Sequence, residues 1–378
     1  MTTNKPQLGF VSSSTSLGGL ELNAARLAQW MKDRGWNVPF FAVPETPLYG
    51  ECERRDLPLV PIERNRKYFD LRRAFQLYRK LSARNIRTVY FRDNRDISVL
   101  GLAKLFSGNR IRLVFQQGMV LGVDKKDMIH TLRFSRIDAW LTQLEYLVQN
   151  VTDRTRFDPE KIHVVPLGIE LETFAPGSDR AAVRSKRGIP AGPPVLGVIG
   201  RFDPKKGQLF TVRAFTRIRK HVPDALLVMV GDATQNEGNE YMDAVRSEIA
   251  AHGLKDVVLI RPFTPDVAEY YQCFDVFALP SQKETAGTVL KEAMACGLPV
   301  IATDAGGPPE IVHHGKAGIL YTPGDTDAFV REAVRLLRDP HERSAWGQKA
   351  REHAVRTFSR ERQCELLEKI IKTVMSKK

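Results

Sequence analysis

The chain has 378 residues, of which 43% are hydrophobic and 27% charged. That composition excludes a disordered or collagen-like chain and a small disulfide scaffold, and the length predicts two domains at about 150 residues each, or one large one. A net charge of +13 suits an anionic partner such as a phosphorylated substrate, an acidic membrane surface or nucleic acid.

The excess is heaviest early: residues 1–174 carry 27 basic and 19 acidic side chains. Cys52, Cys273, Cys296 and Cys364 form no C-x-x-C pair, so reduced thiols are expected and a structural zinc site is not. Met1–Pro6 lacks a signal-peptide pattern, and no apolar run reaches about 18 residues, so no transmembrane helix is expected. The expected location is cytoplasmic, with any membrane contact peripheral.

In chain order, Gln7–Val11 reads as a strand and Ser12–Gly19 as a loop of small residues. Leu20, Ala24, Leu27, Ala28 and Met31 then recur at helical spacing, and Gly35 is a stop signal. Val38–Val43 reads as the next strand, which gives the opening of a parallel α/β domain. Leu71, Ala74, Phe75, Tyr78 and Leu81 predict an amphipathic helix whose other face carries Arg72, Arg73, Arg79 and Lys80. Arg64, Arg66 and Lys67 precede it. Further strands are expected at Thr88–Phe91, Arg112–Phe115 and His163–Pro166. Leu167–Gly192, with its Gly and Pro, reads as a linker. The alternation then restarts with strands at Val195–Ile199, Leu226–Val230, Val257–Ile260, Asp275–Leu279 and Val300–Ala302.

The chemistry-bearing motifs sit at strand ends. Glu284 and Glu292 are eight residues apart, about two helical turns, and share one face if both lie in the helix that ends near Gly297. Gly287 permits close backbone approach, and free N–H groups at a helix start favour phosphate. Alone, such a pair is two ordinary surface glutamates. Gly200-Arg201-Phe202 through Lys206-Gly207 puts two cations on a loop before a helix, which is either a solvated basic turn or a diphosphate clamp. Gly306-Gly307-Pro308-Pro309-Glu310-Ile311-Val312 follows a strand. Leu17-Gly18-Gly19-Leu20-Glu21 is a weak Gly-rich loop at the first strand-to-helix turn. His130 and His163 read as packing residues, and His313-His314 as a surface turn.

Taken in order, these motifs resemble the family 4 retaining glycosyltransferases of the GT-B fold, over nearly the whole chain. Val165-Pro166-Leu167-Gly168-Ile169-Glu170 with Phe174 is similar to the family's inter-domain junction, and Thr357-Phe358-Ser359 to the start of its last helix. The resemblance implies two Rossmann-like α/β domains facing a central cleft. They would be an acceptor domain at 1–168 and a nucleotide-sugar domain at 169–356, with a helix at 357–378 crossing back to the first domain.

It further implies that Arg201 and Lys206 hold the donor diphosphate and offset charge on the leaving group. Glu284 would contact the donor sugar and Glu292 the ribose. Backbone from Ala286 and Gly287 to Thr288 and Val289 would meet the distal phosphate, with Gly18 and Gly19 approaching from the first domain. Gln116 stands where many members carry a sugar-side His; it can hydrogen-bond but cannot shuttle a proton. Ala286 replaces a common aromatic or Cys, and Ile260-Arg261-Pro262 a common F-L-G. No metal and no cofactor is expected beyond a nucleotide-diphosphate sugar of UDP or GDP type.

The function expected is hexosyl transfer with retention to a cell-envelope glycan or glycolipid, of lipopolysaccharide or lipid-linked type. A small soluble acceptor, a non-catalytic sugar or glycolipid binder, and a sugar-nucleotide epimerase are the alternatives. The stretch Arg64–Arg87 is either a solvated helix face or a contact for anionic lipid heads. Nucleic acid is not expected, since no recognition motif accompanies the charge.

Overall fold

The computed structural model describes residues 6–66, 68–177, 179–233, 239–264 and 266–376. The chain forms two compact units, one of residues 1–167 with 360–378 and one of residues 168–359.

The first unit is built on a parallel seven-stranded sheet. Its strands are β1 (Gly9–Ser12), β2 (Phe40–Ala42), β3 (Leu59–Pro61), β4 (Thr88–Phe91), β5 (Arg112–Gln116), β6 (Ala139–Thr142) and β7 (Ile162–Val164). They lie in the order β3-β2-β1-β4-β5-β6-β7. The second unit has β8 (Val195–Ile199), β9 (Leu226–Val230), β10 (Val258–Arg261), β11 (Val276–Leu279), β12 (Val300–Thr303) and β13 (Ile319–Tyr321). Their order is β10-β9-β8-β11-β12-β13, again all parallel.

Central strands such as β8, β9 and β11 are buried at every position, because helices cover both faces of a parallel sheet. Strand order reverses between β1 and β4 in the first sheet and between β8 and β11 in the second. At such a switch point the connecting loops diverge and leave a crevice at the carboxyl ends of the strands. Both units are thus Rossmann-like, and the architecture is that of GT-B proteins.

β3, β6 and β13 are not among the expected strands. Each has three or four residues, too few to show a period. The expected linker contains the helix Arg180–Lys186, packed within the second unit. On the helix Leu71–Ser82 the buried face is Ala74, Leu77 and Leu81, while Leu71 and Phe75 point outward, 62% and 49% exposed. All four cysteines are free and buried.

Thr357 and Phe358 close the helix Pro340–Phe358 rather than opening the last one. Ser359 is extended and bridges Ile169, which ends the helix, and a new helix runs Arg360–Ser376. That last helix belongs to the first unit, where Cys364, Leu367, Ile371 and Val374 join the core containing Leu8, Phe10 and Met31. Glu368 accepts from Arg34 Nε at 2.9 Å and Nη2 at 3.0 Å, and from Trp36 Nε1 at 3.0 Å. No helix among the described residues is long and apolar enough to cross a membrane.

Candidate functional site

At the switch point of the second sheet lies a cavity of about 230 Å³. Its walls come from the end of β8, the loop after it (Arg201, Lys206) and the first residue of the next helix (Gln208), and from the loop after β11 (Ser281, Glu284, Ala286, Gly287) and the start of its helix (Thr288, Val289). Gly207 ends the first of these loops with φ +76° and starts the helix Gln208–His221. A Cβ there would lie 2.2 Å from the Pro280 carbonyl oxygen, so only glycine lets the two loops meet. Gln282 N donates to Lys205 O at 2.9 Å and ties them together.

Glu284 is not in the helix. The helix runs Thr288–Ala295, and Glu284 sits four residues before it, paired as a short parallel bridge with Gly306. Gly306, at φ +85°, passes so close that a Cβ would fall 2.2 Å from Glu284 O. Gly307 N donates to that same carbonyl at 2.8 Å. The Gly-Gly-Pro-Pro segment is thus the brace that holds Glu284 in place. Its carboxylate accepts from Thr285 N at 2.9 Å and from Lys206 Nζ at 2.6 Å.

Gly287 caps the following helix in a left-handed conformation and offers no side-chain acceptor to it. The first N–H groups of that helix are therefore left to a ligand, at the end where the helix dipole is positive. Arg201 is exposed at the rim, with no ion-pair partner for its side chain among the described residues. Gln208 Oε1 and Ser281 Oγ are buried and have no hydrogen-bond partner among the described residues. The cavity thus presents two cations, free backbone donors and two unanswered polar atoms, a set suited to a phosphorylated, hydroxyl-rich ligand.

Glu292 stands apart from this wall. It is 6% exposed and accepts from Tyr271 Oη at 2.8 Å. Burial beside that carboxylate pushes the Tyr271 hydroxyl well above its usual range. Lys291, beside Glu292, has no counterpart in the sequence reading. It is wholly buried, with Nζ 4.8 Å from the centre of the Phe358 ring and no hydrogen-bond partner among the described residues. Burial pushes its pKa down to about 8, against the opposing pull of Glu310, Glu284 and Glu292.

In the first unit a second cavity, of about 420 Å³, lies at the β1–β4 switch point. Neither Gly18 nor Gly19 needs to be glycine for its backbone. A Cβ on Gly19 would meet nothing within 4 Å, and one on Gly18 only Glu21 Oε2 at 3.2 Å. Gly18 N already donates to Glu21 Oε2 at 2.9 Å. What this loop provides is room.

Gln116 does not reach that cavity. It is fully buried, accepting from Tyr90 Oη at 2.5 Å and donating to Val165 O at 3.2 Å, so it presents no group to a ligand. Its partners in β4 and just beyond β7 claim it within the core of the first sheet. Asp96, fully buried and not part of the cavity lining, takes Ser13 N, Ser13 Oγ and Asn65 Nδ2. Burial raises its pKa to about 6. His130 is paired with Asp127 at 2.5 Å rather than packed in the core. Of the basic stretch, Arg73 pairs with Glu63 and Lys80 donates to Pro61 O, while Arg64, Arg66, Arg72, Arg79 and Arg87 are exposed. Lys67 lies outside the described residues.

Comparison with known proteins agrees with this layout. Residues 17–173 match the family model described as Glycosyltransferase Family 4, and residues 179–353 the one described as Glycosyl transferases group 1. A D-inositol 3-phosphate glycosyltransferase from Kineococcus radiotolerans is 36% identical over 210 residues, covering 52% of this chain and 48% of that protein. The chain thus spans about half the length of the relatives it matches at this level. A GDP-mannose-dependent alpha-(1-6)-phosphatidylinositol monomannoside mannosyltransferase from Mycolicibacterium smegmatis is 29% identical over 294 residues, 75% of each chain.

Among solved structures, a glycosyltransferase from Rickettsia africae superposes with a TM-score of 0.87 at 19% identity, over 99% of this chain and all of the other. The Anabaena HepE protein in complex with UDP gives 0.84 at 21% identity, over 97% of this chain and all of the other. At such identities the structures speak for the fold alone. With one family model on each unit, together spanning nearly the whole chain, the protein belongs to the family 4 glycosyltransferases.

Proposed function

We propose that the protein is a retaining hexosyltransferase that moves a sugar from a nucleotide-diphosphate sugar to a hydroxyl of a cell-envelope glycan or glycolipid. The observation that carries this reading is the second-sheet cavity, where Arg201, Lys206 and the open start of the helix Thr288–Ala295 face the same space as Glu284. The bond from the anomeric carbon to the diphosphate oxygen breaks. The bond to the acceptor oxygen forms on the same face, and the acceptor proton passes to the leaving phosphate. Charge grows on the diphosphate in that step, and Arg201, Lys206 and the backbone N–H groups are the groups to meet it, without a metal ion. Glu284, braced by Gly306 and Gly307, orients the sugar. Glu292, hydrogen-bonded by Tyr271, serves the ribose side of the donor.

A UDP complex of a structural neighbour and the GDP-mannose dependence of a relative leave both bases as candidates for the donor. A thermal-shift screen with UDP, GDP, ADP and their sugars decides: a ligand that binds only the folded state raises its melting temperature. One nucleotide family should stabilise, and Arg201→Ala should abolish the shift. No shift with any nucleotide, on folded protein, overturns the reading in favour of a non-catalytic binder.

The acceptor class is drawn from the first unit. Phe69 and Leu71 are 78% and 62% exposed, beside the exposed Arg66 and Arg72. Ile129 and Leu132, at 54% and 59%, line an apolar groove together with Phe69. Apolar anchors among arginines suit the interface of an anionic membrane. Co-sedimentation with phosphatidylglycerol vesicles, lost in Phe69→Ser/Leu71→Ser, tests this peripheral attachment.

A further inference from the structure

The cavity of the first unit contains a charge that nothing among the described residues answers. Arg92 follows β4 directly and lines the cavity, yet is only 6% exposed. None of its three guanidinium nitrogens has a hydrogen-bond partner among the described residues. A guanidinium has five donors and does not deprotonate in proteins. Burying one without a counter-ion is strongly unfavourable, so a fold that keeps it places it for an anion that arrives later.

The carboxylates of Glu21 and Asp93 also line the cavity, and they and Asp96 are otherwise engaged. Glu21 takes Ser14 Oγ and Gly18 N, Asp93 takes Arg95 N, and Asp96 is turned to Ser13 and Asn65. Arg64 and Arg95 also line the cavity, and neither side chain has an ion-pair partner among the described residues. Hydroxyls of Ser12, Ser14, Thr15 and Ser16 complete the wall.

We infer that this cavity binds a phosphate group of the acceptor, with Arg92 as its principal ligand. Three guanidiniums with the hydroxyls of Ser12 and Thr15 offer more donors than a carboxylate's two oxygens can use, and they suit the several oxygens of a phosphate. At about 420 Å³ the space also admits the group that carries it. The inference deepens the transferase reading, and rests on it only for calling the ligand an acceptor.

The test uses the full chain bearing Arg201→Ala and Lys206→Ala, which removes the cations of the other cavity, so phosphate binding is read independently of the donor reading. Isothermal titration with inorganic phosphate and glucose 6-phosphate should show one saturable site. Adding Arg92→Gln should weaken it at least tenfold, and Arg92→Lys should restore part of the loss. In phosphate-free buffer, Arg92→Met should melt higher than its parent, because it removes an unanswered buried charge; phosphate should narrow that gap.

Arg92-dependent binding of glucose 6-phosphate assigns a soluble phosphorylated acceptor. Arg92-dependent binding only to phosphatidylglycerol vesicles assigns a lipid phosphate. Binding unchanged by Arg92→Gln, or no binding of any probe with Arg92→Met melting below its parent, makes Arg92 a structural residue and overturns the inference.

Discussion

Lys206 Nζ lies 2.6 Å from Glu284 Oε2, so the cation assigned to the diphosphate and the carboxylate assigned to the sugar are paired with each other. Both are largely buried, 27% and 13% exposed, so the pair is neither a loose surface contact nor a sealed one. A ligand whose phosphate takes Lys206 must compete with Glu284. The two residues should therefore separate under mutation. Lys206→Ala should weaken nucleoside diphosphate binding about tenfold or more, the worth of a charge-assisted hydrogen bond. Glu284→Gln frees Lys206 and removes a nearby negative charge, so it should hold or raise that affinity while turnover falls about a hundredfold. Calorimetric Kd values beside initial rates check this. Equal losses of affinity in both variants would mean that the pair serves only to fix the loop.

Gly306 touches no ligand in this scheme, yet it decides where Glu284 sits. A methyl group there would press on Glu284 O, in a backbone region L-residues resist. Gly306→Ala should cost at least about 2 kcal/mol, several degrees in melting temperature for a unit of this size. It should also lower turnover as Glu284 shifts. Gly192→Ala, where a Cβ meets nothing within 4 Å, is the matched control and should leave both unchanged.

Lys291 supplies a pH signature. Its pKa is about 8 in the fold against an ordinary 10.5, so between those values the unfolded chain binds more protons. Stability must then rise with pH across that window. Relative to Lys291→Met, the native protein should be less stable at pH 7 by ~3 kcal/mol, and the gap should close as pH climbs from 8 to 10.5. Denaturant unfolding of both proteins across that range checks it. A gap that stays constant would mean Lys291 finds a partner that leaves its charge fully compensated.

The sequence made the second sheet legible because its motifs and strands coincide. Val195–Ile199 and Leu226–Val230 are continuous apolar runs, each ending in glycine, and the cationic loop and the Glu284 loop sit beside them at strand ends. Helical spacing misled where the chain was locally irregular. Glu284 and Glu292 have the separation of one helix face, but the left-handed Gly287 starts the helix only at Thr288, which leaves Glu284 on a braced loop. Gln116 was invisible as a core residue because its partners, Tyr90 and Val165, are 26 and 49 residues away. Arg92 and Lys291 carry no motif at all. Only burial without a partner distinguishes them, and burial is a property of the fold.

The last helix tests how the chain closes on its first unit. Leu367 is fully buried in the core that contains Leu8, Phe10 and Met31, though more than 300 residues separate them. Glu368 beside it accepts from Arg34 and Trp36, and those hydrogen bonds hold its carboxyl below the usual range. Leu367→Ala removes a packed side chain from a site with little freedom to collapse, and should cost about 2–5 kcal/mol. Scanning calorimetry with a nucleotide present to raise the second unit's transition should resolve two events. The variant should lower the first unit's transition and leave the nucleotide-shifted one in place. A drop in the nucleotide-shifted transition alone would assign the helix to the second unit.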